Sequence, residues 1–258
     1  MSQFNQTKGF LIDLNGTLYF KGKTLPNAPE CVDYLRKKKY KLRFLTNTDS
    51  KDPESISQLL SEKGFSIEAK EIYNPLRALI EFTNDKPEKT FYFIVNSNVY
   101  SYFNSIPKSN ANPDFVVIGD PRTENLYEKL NDAFRFLKKG SKLIALQKNI
   151  IFHNENGVNL DAGSFVNLLE KVSGVKSDLI GKPSSNFFKL TLREIDLSPE
   201  QVVVIGDDIN TDIKGGYAIG AKTVLTRTGI FNQDKLESSI VKPDIMVQSF
   251  SDLMNIIE

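Results

Sequence analysis

Short apolar runs that end abruptly on small polar or acidic residues recur along the chain. The first is Phe10-Leu11-Ile12, which stops on Asp13 and is followed by Asn15 and Gly16. Such a run, bounded by turn residues, predicts a buried parallel strand. In an open α/β sheet the C-terminal end of such a strand is where ligands usually bind. A carboxylate at that lip suits a metal or a nucleophile. Asn-Gly between FLIDL and TLYF is equally a strong hairpin signal, and on this stretch alone the two readings stand level. A helix is predicted from Pro26 and Pro29 to about Lys39, with Val32 and Leu35 facing inward. Its last turn, Arg36 to Lys39, reads as a solvated basic end complementing the helix dipole rather than as a phosphate patch. A strand, Lys41 to Leu45, then ends on Thr46-Asn47. Ser50 or Asp52 can cap the next helix, with Pro53 at its start, Ile56, Leu59 and Leu60 on its apolar face, and Gly64 as its stop.

From about Glu71 to Val175 the pattern restarts. Strands are predicted at Phe91–Val95, Phe115–Ile118 and Leu143–Leu146. Helices are predicted at Leu76–Phe82, along Leu126, Leu130, Ala133, Phe134 and Leu137, and at Phe165–Val172. This stretch is long enough to be a domain of its own. His153 falls in a polar segment, IFHNENG, and reads as an ordinary solvated loop histidine. Near Leu179 the first pattern resumes. Gly181-Lys182-Pro183 precedes a helix carrying Phe187, Phe188, Leu190, Leu192 and Ile195. Gln201 to Ile205 is the most strand-like run, and it breaks on Gly206-Asp207-Asp208 with Asp212 close behind. Ala221–Thr226 and Asp244–Val247 read as strands and Phe250–Ile257 as a final helix. Strands alternating with helices imply a parallel sheet. The predicted fold is therefore α/β, a Rossmann-like doubly wound core split by an inserted, smaller α/β domain. The core is expected over residues 1–70 and 176–258, and the insert over 71–175.

Composition narrows the chemistry. The 258 residues carry 33 basic and 32 acidic side chains, a net charge of +1, which gives no nucleic-acid footprint. A single histidine rules out a multi-histidine metal site within one chain, so any metal must be a hard ion on oxygen ligands. One cysteine, Cys31, excludes an internal disulfide and fits a reducing compartment. No run approaches the roughly 20 apolar residues of a membrane span, and MSQFNQTKGF has no apolar signal core. The expectation is a cytoplasmic protein with neither nucleic-acid nor membrane partners.

Parallel strands bring their C-terminal ends to one edge. That edge would gather Asp13, Thr46, Asn47, Lys182, Asp207, Asp208 and Asp212. Clustered carboxylates repel one another unless a cation neutralises them, so a hard divalent ion is implied. Mg²⁺ usually keeps sites for water and a substrate phosphate, and a lysine with neutral donors around it suits a phosphoryl group.

Together, Asp13-Leu14-Asn15-Gly16-Thr17-Leu18, Thr46-Asn47, Gly181-Lys182-Pro183 and Gly206-Asp207-Asp208 with Asp212 resemble the four ordered motifs of the haloacid dehalogenase superfamily. The insert resembles that superfamily's class IIA cap. The likeness covers essentially the whole chain and moves the hairpin reading of Asn15-Gly16 well behind. It implies a Mg²⁺-dependent phosphohydrolase acting on a small phosphorylated substrate, with Asp13 as the nucleophile that becomes an aspartyl-phosphate. It further implies that Asp13, the Asn15 backbone carbonyl and Asp207 hold Mg²⁺, with Asp208 and Asp212 acting directly or through water. Thr46, Asn47 and Lys182 would hold the phosphoryl oxygens. A homodimer through the cap is a further implication. Within the cap, specificity is expected from the loop of about Gln147 to Gly163. Gly163 either frees backbone N–H groups for an anion or fits a tight turn.

One position departs from the pattern. Two residues after the nucleophile the superfamily's phosphatases usually carry an aspartate that protonates the leaving group. Here it is Asn15, and a carboxamide does not exchange a proton near neutral pH. Losing such a group typically lowers the rate about 10²- to 10⁴-fold. Three readings follow: a hydrolase of substrates with good leaving groups, a phosphomonoesterase with a substitute acid, or a phosphate-binding or regulatory protein with little or no turnover. The first is favoured.

Overall fold

In the computed structural model, residues 4–154 and 157–257 are described. In chain order the strands are β1 (Gly9–Asp13), β2 (Tyr19–Phe20), β3 (Lys23–Thr24), β4 (Lys41–Leu45), β5 (Ile72–Tyr73), β6 (Phe91–Ile94) and β7 (Phe115–Ile118). They continue as β8 (Lys142–Ala145), β9 (Ile151–Asn154), β10 (Gly157–Leu160), β11 (Ser177–Leu179), β12 (Val202–Gly206), β13 (Lys222–Thr226) and β14 (Ile245–Val247). The α-helices are α1 (Ala28–Lys37), α2 (Pro53–Glu62), α3 (Pro75–Asn84), α4 (Leu126–Lys138), α5 (Ala162–Ser173), α6 (Ser185–Ile195), α7 (Lys214–Ile219), α8 (Gln233–Ser238) and α9 (Leu253–Ile256).

The chain divides into two compact units, Met1–Thr46 with Pro53–Tyr73 and Lys182–Glu258, and Asn47–Asp52 with Asn74–Gly181. In the first, six strands form one sheet in the order β14-β13-β12-β1-β4-β5, with every pairing parallel. All five residues of β1 and of β12 are buried. This is why these runs are continuously apolar rather than alternating: helices cover both faces. On one face Phe10, Ile12, Phe44, Val203 and Ile205 pack with Val32 and Leu35 of α1 and Leu253 of α9. Each such side chain contributes about 1.5–3 kcal/mol by leaving water. On the other face Gly215 and Gly216 let α7 sit close, because a Cβ there would lie 2.1 Å from Phe188 and 3.0 Å from Val204. The shared strand direction puts the ends of β1, β4, β12 and β13 along one edge and the starts of β1, β4 and β12 along the other.

A hairpin does form near Asn15, but not across it. Tyr19–Phe20 pairs antiparallel with Lys23–Thr24, and the turn is Lys21-Gly22, both at positive φ (47° and 77°). Two successive positive φ values give the twist that a two-residue hairpin needs.

The second unit holds a four-stranded parallel sheet in the order β11-β8-β7-β6. One face packs α3 and the 3₁₀ segment Ser97–Phe103 through Leu76, Leu79, Phe93 and Phe103. The other packs α4 and α5 through Ala133, Leu137, Val166 and Leu169. The observed boundaries differ from the sequence expectation at three places, and the first is residues 71–73, expected in the insert, which belong to the first unit, where β5 pairs with β4. Ser177–Leu179, expected in the core, pairs with β8 in this sheet, and Asn47–Asp52 groups with this unit. His153 is not in a loop. It lies on β9, which pairs antiparallel with β10.

Candidate functional site

The site is assembled at the C-terminal edge of the first unit's sheet. Asp13 closes β1, in register with Leu45 of β4, and the residue is only 6% exposed. Lys182 (3% exposed) donates from Nζ to Asp13 Oδ1 at 2.5 Å and to Asp212 Oδ1 at 2.7 Å. Thr17 donates from its hydroxyl to Asp13 Oδ2 at 3.1 Å. Asp207 follows the end of β12, and its Oδ2 accepts from the Ile230 N–H at 2.7 Å. Asp212 sits on a π-helical turn, Ile209–Ile213, a local widening that often marks functional positions. Carboxylate oxygens of Asp13, Asp207 and Asp212 all lie within 4.8 Å of one another, and all three residues are buried.

Glycines shape this cluster. Gly16 has φ 103°, and a Cβ there would lie 2.0 Å from Asp207 Oδ2. Backbone conformation and space both therefore require glycine. A Cβ on Gly206 would fall 2.1 Å from Asp212, and one on Gly229 2.0 Å from Asp207. The backbone thus closes around the carboxylates.

Electrostatically the cluster is poised for a cation. Burial raises the Asp13 carboxyl above its ordinary value, against the pull of Lys182 and Thr17. Burial also pushes Asp207 well up, with Asp13 and Asp212 adding to the shift. Asp212 is raised to about 7, again by burial first, with Lys182 opposing. Burial alone would lower Lys182, but Asp13 and Asp212 outweigh it and raise it. When ionised, three crowded carboxyls against one ammonium leave an excess of negative charge that a further cation would relieve. The donors are oxygens throughout, which fits Mg²⁺ rather than a soft metal.

The other sequence candidates are placed as follows. Asn15, two residues beyond Asp13, is exposed. Thr46 is buried at the end of β4, its N–H donating to the Tyr73 carbonyl at 3.2 Å. Asn47 belongs by its contacts to the second unit, where its Oδ1 lies close to Gly181. Asp208 is outside the group of three. Its carboxylate caps the π-helical turn, accepting from the Asn210 N–H and the Thr211 hydroxyl, each at 3.1 Å. Gly163 offers no free N–H for an anion: its N–H donates to the Asn149 carbonyl at 2.9 Å, and a Cβ would meet Lys148 O at 2.3 Å. It serves close packing. The expected Gln147–Gly163 loop is largely the β9–β10 hairpin.

Sequence reading did not single out Thr17 as a partner of Asp13. It also missed Thr226–Ile230, where Thr228 donates to the Gly16 carbonyl at 2.5 Å while Ile230 holds Asp207. The polar residues after β13, another strand end at the same edge, were the available signal.

Comparison with known proteins gives the family. Residues 10–106 match a family model described as haloacid dehalogenase-like hydrolase, and residues 179–253 match a HAD-hydrolase-like model. The chain is 32% identical over 243 residues to the mouse haloacid dehalogenase-like hydrolase domain-containing protein 2, covering 94% of this chain and 93% of that one. It is 31% identical over 256 residues to the human phospholysine phosphohistidine inorganic pyrophosphate phosphatase, covering 97% and 94%. Among solved structures, the p-nitrophenyl phosphatase from Archaeoglobus fulgidus superposes with a TM-score of 0.90 at 26% identity, over 97% of this chain and 99% of that one. The 4-nitrophenylphosphatase from Thermotoga maritima gives 0.92 at 25%, over 99% of each. Family models at both ends of the chain, and relatives aligned over nearly all of it, lead to one conclusion: the chain is a hydrolase that belongs to the haloacid dehalogenase superfamily.

Proposed function

We propose that this chain is a Mg²⁺-dependent phosphohydrolase that works through an aspartyl-phosphate on Asp13 and favours substrates with good leaving groups. The observation that carries this is the buried group of Asp13, Asp207 and Asp212 with Lys182 bonded to two of its members. Asp13, the Asn15 backbone carbonyl and Asp207 would hold the ion, with Asp212 close by and Asp208 reaching it only through water. Bound there, Mg²⁺ would neutralise charge on the transferring phosphoryl group.

The chain's own groups do the rest. Lys182 and Thr17 hydrogen-bond the two oxygens of Asp13 and hold the carboxylate at a fixed angle. An Asp13 oxygen attacks phosphorus, the bond to the leaving group breaks, and water then attacks phosphorus to release phosphate and restore the carboxylate. Thr46, Asn47 and Lys182 would bind the phosphoryl oxygens. Phosphoryl transfer depends mainly on positioning and charge neutralisation, which this site supplies. Protonation of the leaving group is what it lacks, because Asn15 stands where an acid would act. Acyl phosphates, pyrophosphate and P–N bonds need least help of that kind. One relative points the same way by name, a phospholysine, phosphohistidine and inorganic pyrophosphate phosphatase. The inserted unit would serve as a class IIA cap.

The test is phosphate release with Mg²⁺ from acetyl phosphate and p-nitrophenyl phosphate by wild type, Asn15→Asp and Asp13→Asn. Wild type should prefer acetyl phosphate and require Mg²⁺. Asn15→Asp should gain on the monoester, and Asp13→Asn should be inactive. Silence in all three would favour a phosphate-binding role.

A further inference from the structure

The edge of the core sheet opposite Asp13 carries a feature that the hydrolase reading leaves unused. A groove of about 480 Å³ opens there, lined by Lys8, Lys38, Lys39 and Lys41 with Thr7 and Gln201. Three separate stretches of chain meet to form it: the residues before β1, the end of α1 leading into β4, and the turn before β12. Its frame is fixed by backbone bonds, Lys8 N–H to the Gln201 carbonyl at 2.7 Å and Lys41 N–H to the Lys8 carbonyl at 2.9 Å. The Tyr40 ring at its wall packs edge-on against Phe10, centroids 4.9 Å apart. Read in sequence, Lys38 and Lys39 belong to a solvated helix end; the fold sets them beside Lys8 and Lys41.

Two independent observations set this groove apart from an ordinary lysine surface. The first is charge. Four lysines and a single acidic residue, Asp196, line it, on a chain whose net charge is only +1. Among the described residues, Lys8, Lys38 and Lys39 form no ion pair with a carboxylate. Lys38 lies 5.5 Å from the Tyr34 ring centroid, and Lys41 donates to the Ile195 carbonyl at 2.6 Å. The second is backbone. Lys39 adopts φ 64° at the end of α1, a position that glycine or asparagine fills at lower cost. Asp196, also in the groove, shares this left-handed conformation (φ 50°).

We propose that this groove is a second anion site, separate from the Asp13 centre, which binds a small soluble ligand carrying two or more linked phosphates. Lysines bind phosphate as mobile point charges, and several lining one groove suit a chain of phosphates better than a single one. The volume matches that of small-ligand sites. Lys8 and Asp13 are separated by five residues of strand, roughly 16 Å, so one small molecule does not occupy both places.

The test is calorimetric titration of inorganic tripolyphosphate into the protein in metal-free buffer at pH 8. Under those conditions the excess of carboxylates at the Asp13 site repels the anion, so the result is independent of catalysis. Wild type should bind one equivalent, and binding should weaken several-fold between 50 and 200 mM salt, as expected for exposed charges. The Lys8→Gln/Lys38→Gln/Lys39→Gln variant should bind at least ~10-fold more weakly while its Mg²⁺-dependent turnover stays within about twofold of wild type. Lys39→Gly should weaken binding and raise the melting temperature together, because it removes a charge and relieves the positive φ. No binding to wild type, or equal affinity in wild type and the triple variant, would overturn the proposal. So would binding confined to vesicles bearing polyphosphoinositides, since the ligand would then be a membrane surface.

Discussion

Replacing Lys182 with methionine removes the one ammonium that, among the described residues, bonds to the carboxylate cluster, while nearly preserving side-chain length. Lys182 is almost fully buried and holds Asp13 at 2.5 Å and Asp212 at 2.7 Å. Deleting one partner of a buried ion pair costs about 3–5 kcal/mol, because the remaining charge is left uncompensated. For a chain of this size that corresponds to a fall of roughly 10 °C in melting temperature. The loss should depend on pH. A lysine whose folded value is raised stabilises the protein fully below its unfolded value, near 10.5, so in wild type the ammonium is present throughout pH 5–8. The carboxyls are raised, so each is protonated at no penalty in acid and loses stability as pH climbs through its folded value. Without Lys182 those losses deepen. The Lys182→Met penalty should therefore be largest near pH 8, shrink by about half or more at pH 5, and be narrowed by Mg²⁺, which neutralises the same oxygens. Differential scanning fluorimetry at both pH values, with and without Mg²⁺, gives the four numbers required. A melting-temperature loss equal at pH 5 and 8 and indifferent to Mg²⁺ would mean that Lys182 matters for packing, and would refute the electrostatic reasoning.

Three further outcomes are expected. In wild type, Asp212 is raised to about 7 and Asp207 well above its ordinary value, and Mg²⁺ binds the ionised forms. Metal-free stability should thus decline from about pH 4 upward through about 7, and the Mg²⁺-induced thermal shift should grow from pH 5 to pH 8; a flat shift would place the ion elsewhere. Gly16→Ala puts a methyl 2.0 Å from Asp207 at φ 103°, so Mg²⁺ affinity by titration should fall at least tenfold, and unchanged affinity would exclude Asp207 from the metal site. In the second unit, Asp49 accepts from the Asp120 N–H at 2.9 Å, and burial, with Asp161 and Asp120, holds its carboxyl well above the usual range. Asp49→Asn should therefore cost under about 1 kcal/mol in chemical denaturation at pH 7, whereas Asp49→Ala, which orphans that N–H, should cost about 2–3 kcal/mol; equal costs would contradict an upward-shifted Asp49 carboxyl.

The sequence made the core's strand ends legible because each is a run of apolar residues stopped by a charged or small polar one. Phe10–Asp13, Lys41–Thr46 and Val202–Asp207 need only the two-sided burial of a parallel sheet to be read correctly. Less legible were features decided by single turns or by distant chain. Asn15-Gly16 carries the stronger hairpin signature, yet the hairpin turns at Lys21-Gly22, because Leu14 and Leu18 are drawn into the core and Gly16 is taken up by the approach of Asp207. The hold of Ile230 on Asp207 spans 23 residues, and only the polar residues after β13 hint at it. Asp208 looks as suitable a ligand as Asp207, but its neighbours Asn210 and Thr211 recruit it as a cap. The β9–β10 pairing was not legible because each strand is only four residues long.

The central claim is that Asp13 becomes phosphorylated. Rapid acid quench of wild type with Mg²⁺ and ³²P-labelled acetyl phosphate measures this directly. The account predicts protein-bound label that is stable to acid, released by hydroxylamine, dependent on Mg²⁺, mapped to Asp13 and absent from Asp13→Asn. Steady turnover without such label, or turnover that survives in Asp13→Asn, would contradict it.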